Sequence, residues 1–251
     1  MAEQVIRVDG LSKRFGDVLA VDAIDFTVRA GAVTGLLGGN GAGKTTTIGM
    51  LLGLVLPTAG RIEVLGRDML RDRFNVLQRA NFSSPYVDLP HRLTVRQNLT
   101  VYARLYGLRR PADRVQALAR DLDFEGLLKR RTGTLSAGQK TRVALAKALI
   151  NAPDILLLDE PTASLDPDTA DWVRRYLSRY QQETGAAILL SSHNMQEVER
   201  MCDDVLMMRR GRIIDRGTPA ALLAAYGRQT MEEVFLDIAR GSDDGALERA
   251  S

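Results

Sequence analysis

The residues GGNGAGKT at positions 38–45 combine four glycines with a lysine and a threonine at a spacing suited to binding phosphate. Glycines let the backbone turn so that successive N–H groups point inward at phosphate oxygens. The run follows the apolar stretch AVTGLLG at 32–38 and precedes a predicted helix over 44–54, whose positive end also attracts an anion. This context favours a triphosphate site over a flexible glycine turn before a helix.

Each residue type in this run supplies a different contact. We expect the Lys44 ammonium to reach the β- and γ-phosphates and the Thr45 hydroxyl to ligate Mg²⁺. Backbone N–H groups from Asn40 to Lys44 face the phosphates, and Thr46 lies near the α-phosphate through its hydroxyl or N–H. The predicted nucleotide-binding residues of the run are Gly38, Asn40, Gly41, Ala42, Gly43, Lys44, Thr45 and Thr46. The sequence therefore predicts a bound nucleoside triphosphate with Mg²⁺.

Two carboxylate side chains, Asp159 and Glu160, end the apolar run ILLLDE at 155–160. In a phosphate-transfer site Asp159 would hold a Mg²⁺-bound water, and Glu160 would orient and polarise the attacking water. Two acids at a strand end occur in many proteins, so the motifs around them must indicate whether they are catalytic. LSAGQ at 135–139 lies upstream at a predicted helix start, PTASLD at 161–166 follows directly, and His193 follows the next apolar strand.

In this order and spacing, over residues 4–218, these motifs resemble ATP-binding cassette (ABC) ATPases, the nucleotide-binding subunits of ABC transporters. In that family the signature motif of one subunit, here LSAGQ, caps the γ-phosphate held by the P-loop of the other, here residues 38–45. The resemblance implies that Ser136 and Gly138, with Gln139 in the same motif, contact ATP from a second subunit. It also implies that Asp166 joins the two sites and that His193 holds the γ-phosphate and the attacking water.

Each of these residues also has a structural interpretation. Ser136 and Gln139 match a helix capping box, and Asp166 before a proline matches an N-cap. His193 could simply precede a helix capped by Asn194. Phe15 matches the position where the family stacks an aromatic ring on adenine, but it could equally be a core residue of an edge strand.

One family feature is missing from the chain. The family normally has a glutamine at the strand end before its helical lobe, where it contacts Mg²⁺ and the membrane partner. Here the segment reads ANFSSPYVDLPHRLTV at 80–95, and the usual interval falls at Ser84–Pro85. We expect Ser84 or a water molecule to replace that ligand.

Alternating strands and helices predict an α/β fold with a mainly parallel sheet covered on both faces. The resemblance makes this a P-loop NTPase (RecA-like) core with an N-terminal antiparallel β subdomain, where 3–9 and 19–29 alternate apolar and polar residues. We expect an α-helical lobe inserted at about 84–152. The ATPase domain is predicted at 1–220, and a short helical extension with a polar tail at 221–251.

Composition narrows the functional classes. The chain has 251 residues, a net charge of +3 and one cysteine, Cys202, which excludes an internal disulfide. A charge surplus this small argues against a nucleic-acid partner. Because we find neither an export signal nor an apolar run of roughly 18–20 residues, we expect a cytoplasmic protein.

The resemblance implies ATP hydrolysis by a dimer of this chain that drives a separate transmembrane permease. That partner would dock on the helical lobe near 82–106 and place the chain at the inner face of the membrane. The C-terminal segment resembles export-type subunits, which implies export of a drug, lipid or polysaccharide. The alternatives are an ABC ATPase acting on ribosomes or DNA, and a non-hydrolysing regulatory subunit. The second is disfavoured by four intact residues: Lys44, Asp159, Glu160 and His193.

Overall fold

The computed structural model describes residues 3–84, 88–163 and 165–240. Pro85 and the polar tail at 241–251, both included in the sequence predictions, lie outside the described residues. The strands are β1 (Gln4–Phe15), β2 (Val18–Arg29), β3 (Val33–Leu37), β4 (Ala59–Val64), β5 (Arg67–Asp68), β6 (Ala80–Ser83), β7 (Ile155–Asp159), β8 (Ala187–Ser192), β9 (Asp204–Arg209) and β10 (Arg212–Gly217). The α-helices are α1 (Lys44–Leu51), α2 (Arg73–Leu77), α3 (Val95–Leu105), α4 (Pro111–Asp121), α5 (Ala137–Ala148), α6 (Pro167–Thr184), α7 (Met195–Met201), α8 (Pro219–Tyr226) and α9 (Met231–Arg240).

A four-stranded antiparallel sheet has the order β2-β1-β4-β5 and contains the first two strands of the chain. Apolar side chains on alternate positions of β2, such as Ile24, Phe26 and Val28, are buried while the residues between them are exposed. The predicted antiparallel start is confirmed, although β1 runs on to Phe15. Register shifts between Val8 and Leu11 and beyond break the alternation that locates a strand in the sequence.

A six-stranded sheet with the order β10-β9-β3-β8-β7-β6 forms the centre of the molecule. Its neighbours pair in parallel from β9 to β6, and β10 pairs antiparallel with β9. Every residue of β3, β7 and β8 is buried, because helices or the antiparallel sheet cover both faces. The predicted mainly parallel core is confirmed.

Helices α3, α4 and α5 form the helical lobe between β6 and β7. Thr94 and Gln97 make both hydrogen bonds of a capping box at the start of α3, and Ser136 and Gln139 do the same for α5. The lobe contacts the core through Arg142 of α5, whose guanidinium lies 4.1 Å from the centre of the Trp172 ring of α6. The capping box predicted at Ser136 and Gln139 is thus confirmed.

Helices α8 and α9 follow the central sheet and pack on it. Met231, Val234 and Ile238 of α9 belong to the same apolar core as Val198 and Met201 of α7. Among the described residues no helix combines the length and the apolar character needed to cross a bilayer. Through its apolar contacts with Val198 and Met201, α9 is attached to α7, the helix that follows His193.

Candidate active site

Three loops with chemical groups meet where adjacent parallel strands of the central sheet end. In the register, Leu37 of β3 lies beside Ser192 of β8, and Asp159 of β7 lies beside Ser191. The P-loop, the acid pair and His193 follow directly on these strands. Ligands of open α/β sheets bind outside such carboxyl ends, so the topology brings together residues that are far apart in the chain.

The P-loop turns tightly between β3 and α1. A Cβ at Gly38 would lie 2.5 Å from the Met208 carbonyl oxygen, and one at Gly43 would lie 2.7 Å from the Ala20 carbonyl oxygen. Gly43 also has a φ of 107°, which favours glycine. The N–H of Ala42 donates to the Gly39 carbonyl at 3.2 Å, which closes a tight turn. The loop is shaped by glycine at the positions where the backbone comes closest to its neighbours.

Lys44 is buried at the start of α1. Its Nζ donates to the carbonyl oxygens of Gly38 at 2.6 Å and Gly39 at 3.2 Å. Burial lowers the pKa of this ammonium, and the carboxylates of Glu160 and Asp159 partly offset that effect. Lys44 is thus a partly desolvated cation bonded to two carbonyl oxygens, and a triphosphate bound at this loop would stabilise its charge.

Asp159 is buried at the end of β7, where the Ser191 hydroxyl donates to its Oδ1. Thr45 exposes its side chain on the first turn of α1. Ser84 is buried one residue beyond Ser83, which pairs with Leu158, so it lies at the level of Asp159 in the sheet. These hydroxyl and carboxylate oxygens are hard donors, and Mg²⁺ binds few protein ligands besides phosphate and water. The donor set therefore fits Mg²⁺.

Glu160 and His193 form a pair at the edge of the site. The Nδ1 of His193 lies 2.7 Å from the Oε2 of Glu160, and the His193 N–H donates to the same oxygen at 3.4 Å. Glu160 has a φ of 52°, a strained left-handed conformation for a residue with a side chain, and its N–H donates to the Ser191 carbonyl. The structure holds the predicted base and the predicted γ-phosphate ligand in contact.

The signature residues lie at the start of α5, where Ser136 is exposed. A Cβ at Gly138 would come within 3.2 Å of the Thr169 hydroxyl on the first turn of α6. That turn is capped by Asp166, whose Oδ1 accepts from the Thr169 N–H at 3.0 Å. This bond and the Thr169 side chain lower the pKa of the Asp166 carboxyl. The structural interpretations are therefore correct for both caps, and the exposed Ser136 hydroxyl and Asp166 carboxylate belong to neighbouring helix ends.

Phe15 ends β1 with half of its surface exposed, 50%, so it is not a core residue. The Lys13 ammonium lies 4.7 Å from the centre of its ring. An exposed aromatic face at the end of a strand is free to stack on a planar ring. Adenine stacking at Phe15 stays a prediction.

Sequence reasoning missed two groups of residues around this site. It did not anticipate Ser191, which donates to Asp159. It also missed Glu197, a buried carboxylate that accepts hydrogen bonds from Ser192 and Thr162. The available signal was an acid four positions after His193, on the inward face of a short helix.

The comparison with protein families decides the interpretation of this geometry. The model of the ABC transporter family matches residues 21–163, which include the P-loop, the signature motif and the acid pair. The chain belongs to the ABC transporter family. It is the ATP-binding and ATP-hydrolysing subunit of a transporter.

Related proteins agree with this assignment. The Nod factor export ATP-binding protein I of Burkholderia lata is 42% identical over 221 residues, which cover 85% of this chain and 70% of that protein. The solved structure of cbiO1 from Clostridium perfringens, part of the transporter complex cbiONQ, has a TM-score of 0.81 at 30% identity. It covers 95% of this chain and 97% of its own. These relatives are transport proteins, which argues against the ribosome and DNA alternatives for this ABC ATPase.

A third comparison shows the fold alone. A dimeric ATP-binding cassette in a post-hydrolysis state, bound to ADP and phosphate, has a TM-score of 0.75 at 20% identity. The match covers 85% of this chain and 98% of that one. The fold of this ABC ATPase is thus shared with other ATP-binding cassettes.

Proposed function

We propose that two copies of this ABC ATPase enclose two MgATP molecules and drive export through a separate membrane permease. The observation that carries the proposal is the exposed start of α5. Ser136 of LSAGQ lies there, and Gly138 lies close to Thr169 on the Asp166-capped first turn of α6. The dimeric cassette with ADP and phosphate supports the two-copy arrangement. A helix N-terminus attracts a terminal phosphate through its N–H groups and its dipole.

Hydrolysis would use the groups that the structure brings together. Glu160 takes a proton from water as the water oxygen attacks the γ-phosphorus, and the bond to the β–γ bridging oxygen breaks. His193, held on Glu160, orients the γ-phosphate and the water. Lys44 compensates the negative charge on the β- and γ-phosphates. Thr45 and Asp159, with Ser84 or water, would hold Mg²⁺, which supplies further positive charge at the phosphates.

Loss of the γ-phosphate removes the contacts that join the two copies, so the dimer opens after hydrolysis. A permease docked on the helical lobe near 82–106 converts this motion into alternating access, at the inner face of the membrane. The name of the Burkholderia relative supports export as the direction. A drug, lipid or polysaccharide is the proposed class of substrate.

The Glu160→Gln variant tests this proposal. An amide binds in the same space but cannot accept the proton, so MgATP should bind and remain unhydrolysed, and the two copies should stay together. Size-exclusion chromatography with light scattering should show a dimer with MgATP and a monomer without nucleotide.

The control combines Glu160→Gln with Lys44→Ala, which removes the phosphate contact and should give monomers under both conditions. A Glu160→Gln protein that stays monomeric with saturating MgATP at high protein concentration would contradict the two-copy arrangement.

A further inference from the structure

Glu197, on the first turn of α7, is a buried carboxylate to which the proposed mechanism gives no role. Its relative exposure is 2%, and a carboxylate is rarely buried without a specific arrangement of partners. Its N–H donates to the side chain of Asn194, which caps α7. The residue is therefore fixed at both its backbone and its side chain.

Both oxygens of this carboxylate accept a hydroxyl proton. The Thr162 hydroxyl donates to Oε1 at 2.7 Å, and the Ser192 hydroxyl donates to Oε2 at 2.7 Å. The Ser192 oxygen also accepts the N–H of Asn194 at 3.0 Å, so its own proton is directed to Glu197. Thr162 and Ser192 are themselves buried. Hydrogen bonds to an ionised acceptor in such surroundings are strong and directional.

These partners belong to the two segments that carry the catalytic pair. Thr162 lies two positions after Glu160, while Ser192 and Asn194 flank His193. The His193 side chain itself is 68% exposed, so little packing holds it. Its position depends on its backbone and on Glu160, and both backbone neighbours of His193 are tied into the Glu197 network.

We propose that Glu197 is a positioning residue that fixes the distance between the Glu160 and His193 segments for ATP hydrolysis. The inference rests on the proposed roles of Glu160 and His193. A carboxylate suits this task because it offers acceptors to two hydroxyls on separate loops at once. Without it, the two hydroxyl contacts that join the residues beside His193 to the turn after Glu160 are lost. The pairing of Glu160 with Ser191 remains, but the His193 side chain is no longer held as closely in place for the γ-phosphate.

A double-mutant cycle tests this inference. Glu197→Ala should lower the single-turnover rate of ATP hydrolysis about tenfold or more and leave the affinity for ATP unchanged within about twofold. In a His193→Ala background the same change should lower the rate by less than about twofold, because the residue to be positioned is gone. Glu197→Gln keeps one acceptor oxygen and should retain more activity than Glu197→Ala.

Gln196→Ala is the matched control, since Gln196 is exposed on the same helix. Gln196→Ala should hydrolyse ATP at the same rate as the protein without substitutions. If Glu197→Ala does not fold, Thr162→Val and Ser192→Ala each remove one donor, and each should lower the rate with unchanged ATP affinity.

Equal losses in the presence and absence of His193 would overturn the inference, as would an unchanged rate in Glu197→Ala or in both donor variants. A failure of the proposed function is distinguishable. In that case the original chain would not hydrolyse MgATP, or His193→Ala would hydrolyse it at the original rate, whatever Glu197 does.

Discussion

At the scale of single residues, two groups of the site adopt arrangements that cost free energy. Lys44 is a buried cation bonded to two carbonyl groups of its own loop, and Glu160 adopts a left-handed backbone conformation. Both arrangements persist because the surrounding strands determine them. A bound triphosphate would add to the negative charge that Glu160 and Asp159 already place near Lys44.

The lowered pKa of Lys44 predicts the pH dependence of ATP binding. As the pH rises through that pKa, the free protein loses its ammonium, so the affinity for ATP should begin to fall at pH values below 10.5, the ordinary pKa of lysine. Calorimetric titrations at increasing pH measure this effect. Lys44→Ala should bind ATP weakly at every pH and show no such fall, and an original chain whose affinity matches that of Lys44→Ala would rule out this role.

At the scale of secondary-structure elements, helix α9 is part of the core and packs on α7, the helix that follows His193. Met231 and Val234 have 0% exposure, and the N–H of Met231 donates to Glu199 of α7. Helix α7 carries Glu197 and follows His193. The last helix of the described residues thus packs on the helix that carries Glu197.

Met231→Ala should therefore destabilise the whole domain. Loss of this fully buried side chain leaves a cavity and should lower the free energy of unfolding by about 2–5 kcal/mol. Urea denaturation followed by circular dichroism measures the change. Leu236→Ala, at an exposed position of the same helix, is the control and should stay within about 0.5 kcal/mol; equal effects of the two changes would show that α9 does not pack as described.

At the scale of the whole molecule, the residues predicted to contact ATP fall into two sets on different elements. Lys44, Asp159 and Glu160 lie at the carboxyl edge of the central sheet, whereas Ser136 lies exposed at the start of α5. In a symmetric dimer each site would take one set from each copy.

This division predicts that two inactive variants restore each other. Lys44→Ala disables the P-loop set. Ser136→Asp keeps a good N-cap for α5 but repels the γ-phosphate. Mixed dimers contain one site with both defects and one intact site, so an equal mixture should regain about a quarter of the original activity when copies pair at random.

The control mixture of Lys44→Ala and Glu160→Gln should stay inactive, because both defects fall in the P-loop set. Steady-state phosphate release measures both mixtures. Sites formed within a single chain would instead leave the first mixture as inactive as the control.

The sequence by itself determined those features that depend on neighbouring residues. The P-loop was recognisable because glycine turns and the lysine spacing are local. The helix starts at Ser136 and Asp166 were recognisable because caps act within three positions. Helix α8 carried the same kind of signal in Thr218 and Pro219, but it was not predicted as a separate helix.

Only the tertiary structure decided which distant residues meet. The pairing of β7, β8 and β3 brings Glu160 to His193 and Asp159 to Ser191, and it connects Glu197 to Thr162 across 35 positions of the chain. Periodicity reports which face of one element is buried, but it contains no information on the neighbour across a sheet. The candidate site residues could therefore be identified from the sequence, whereas the hydrogen bonds that position them follow from the order and register of the strands.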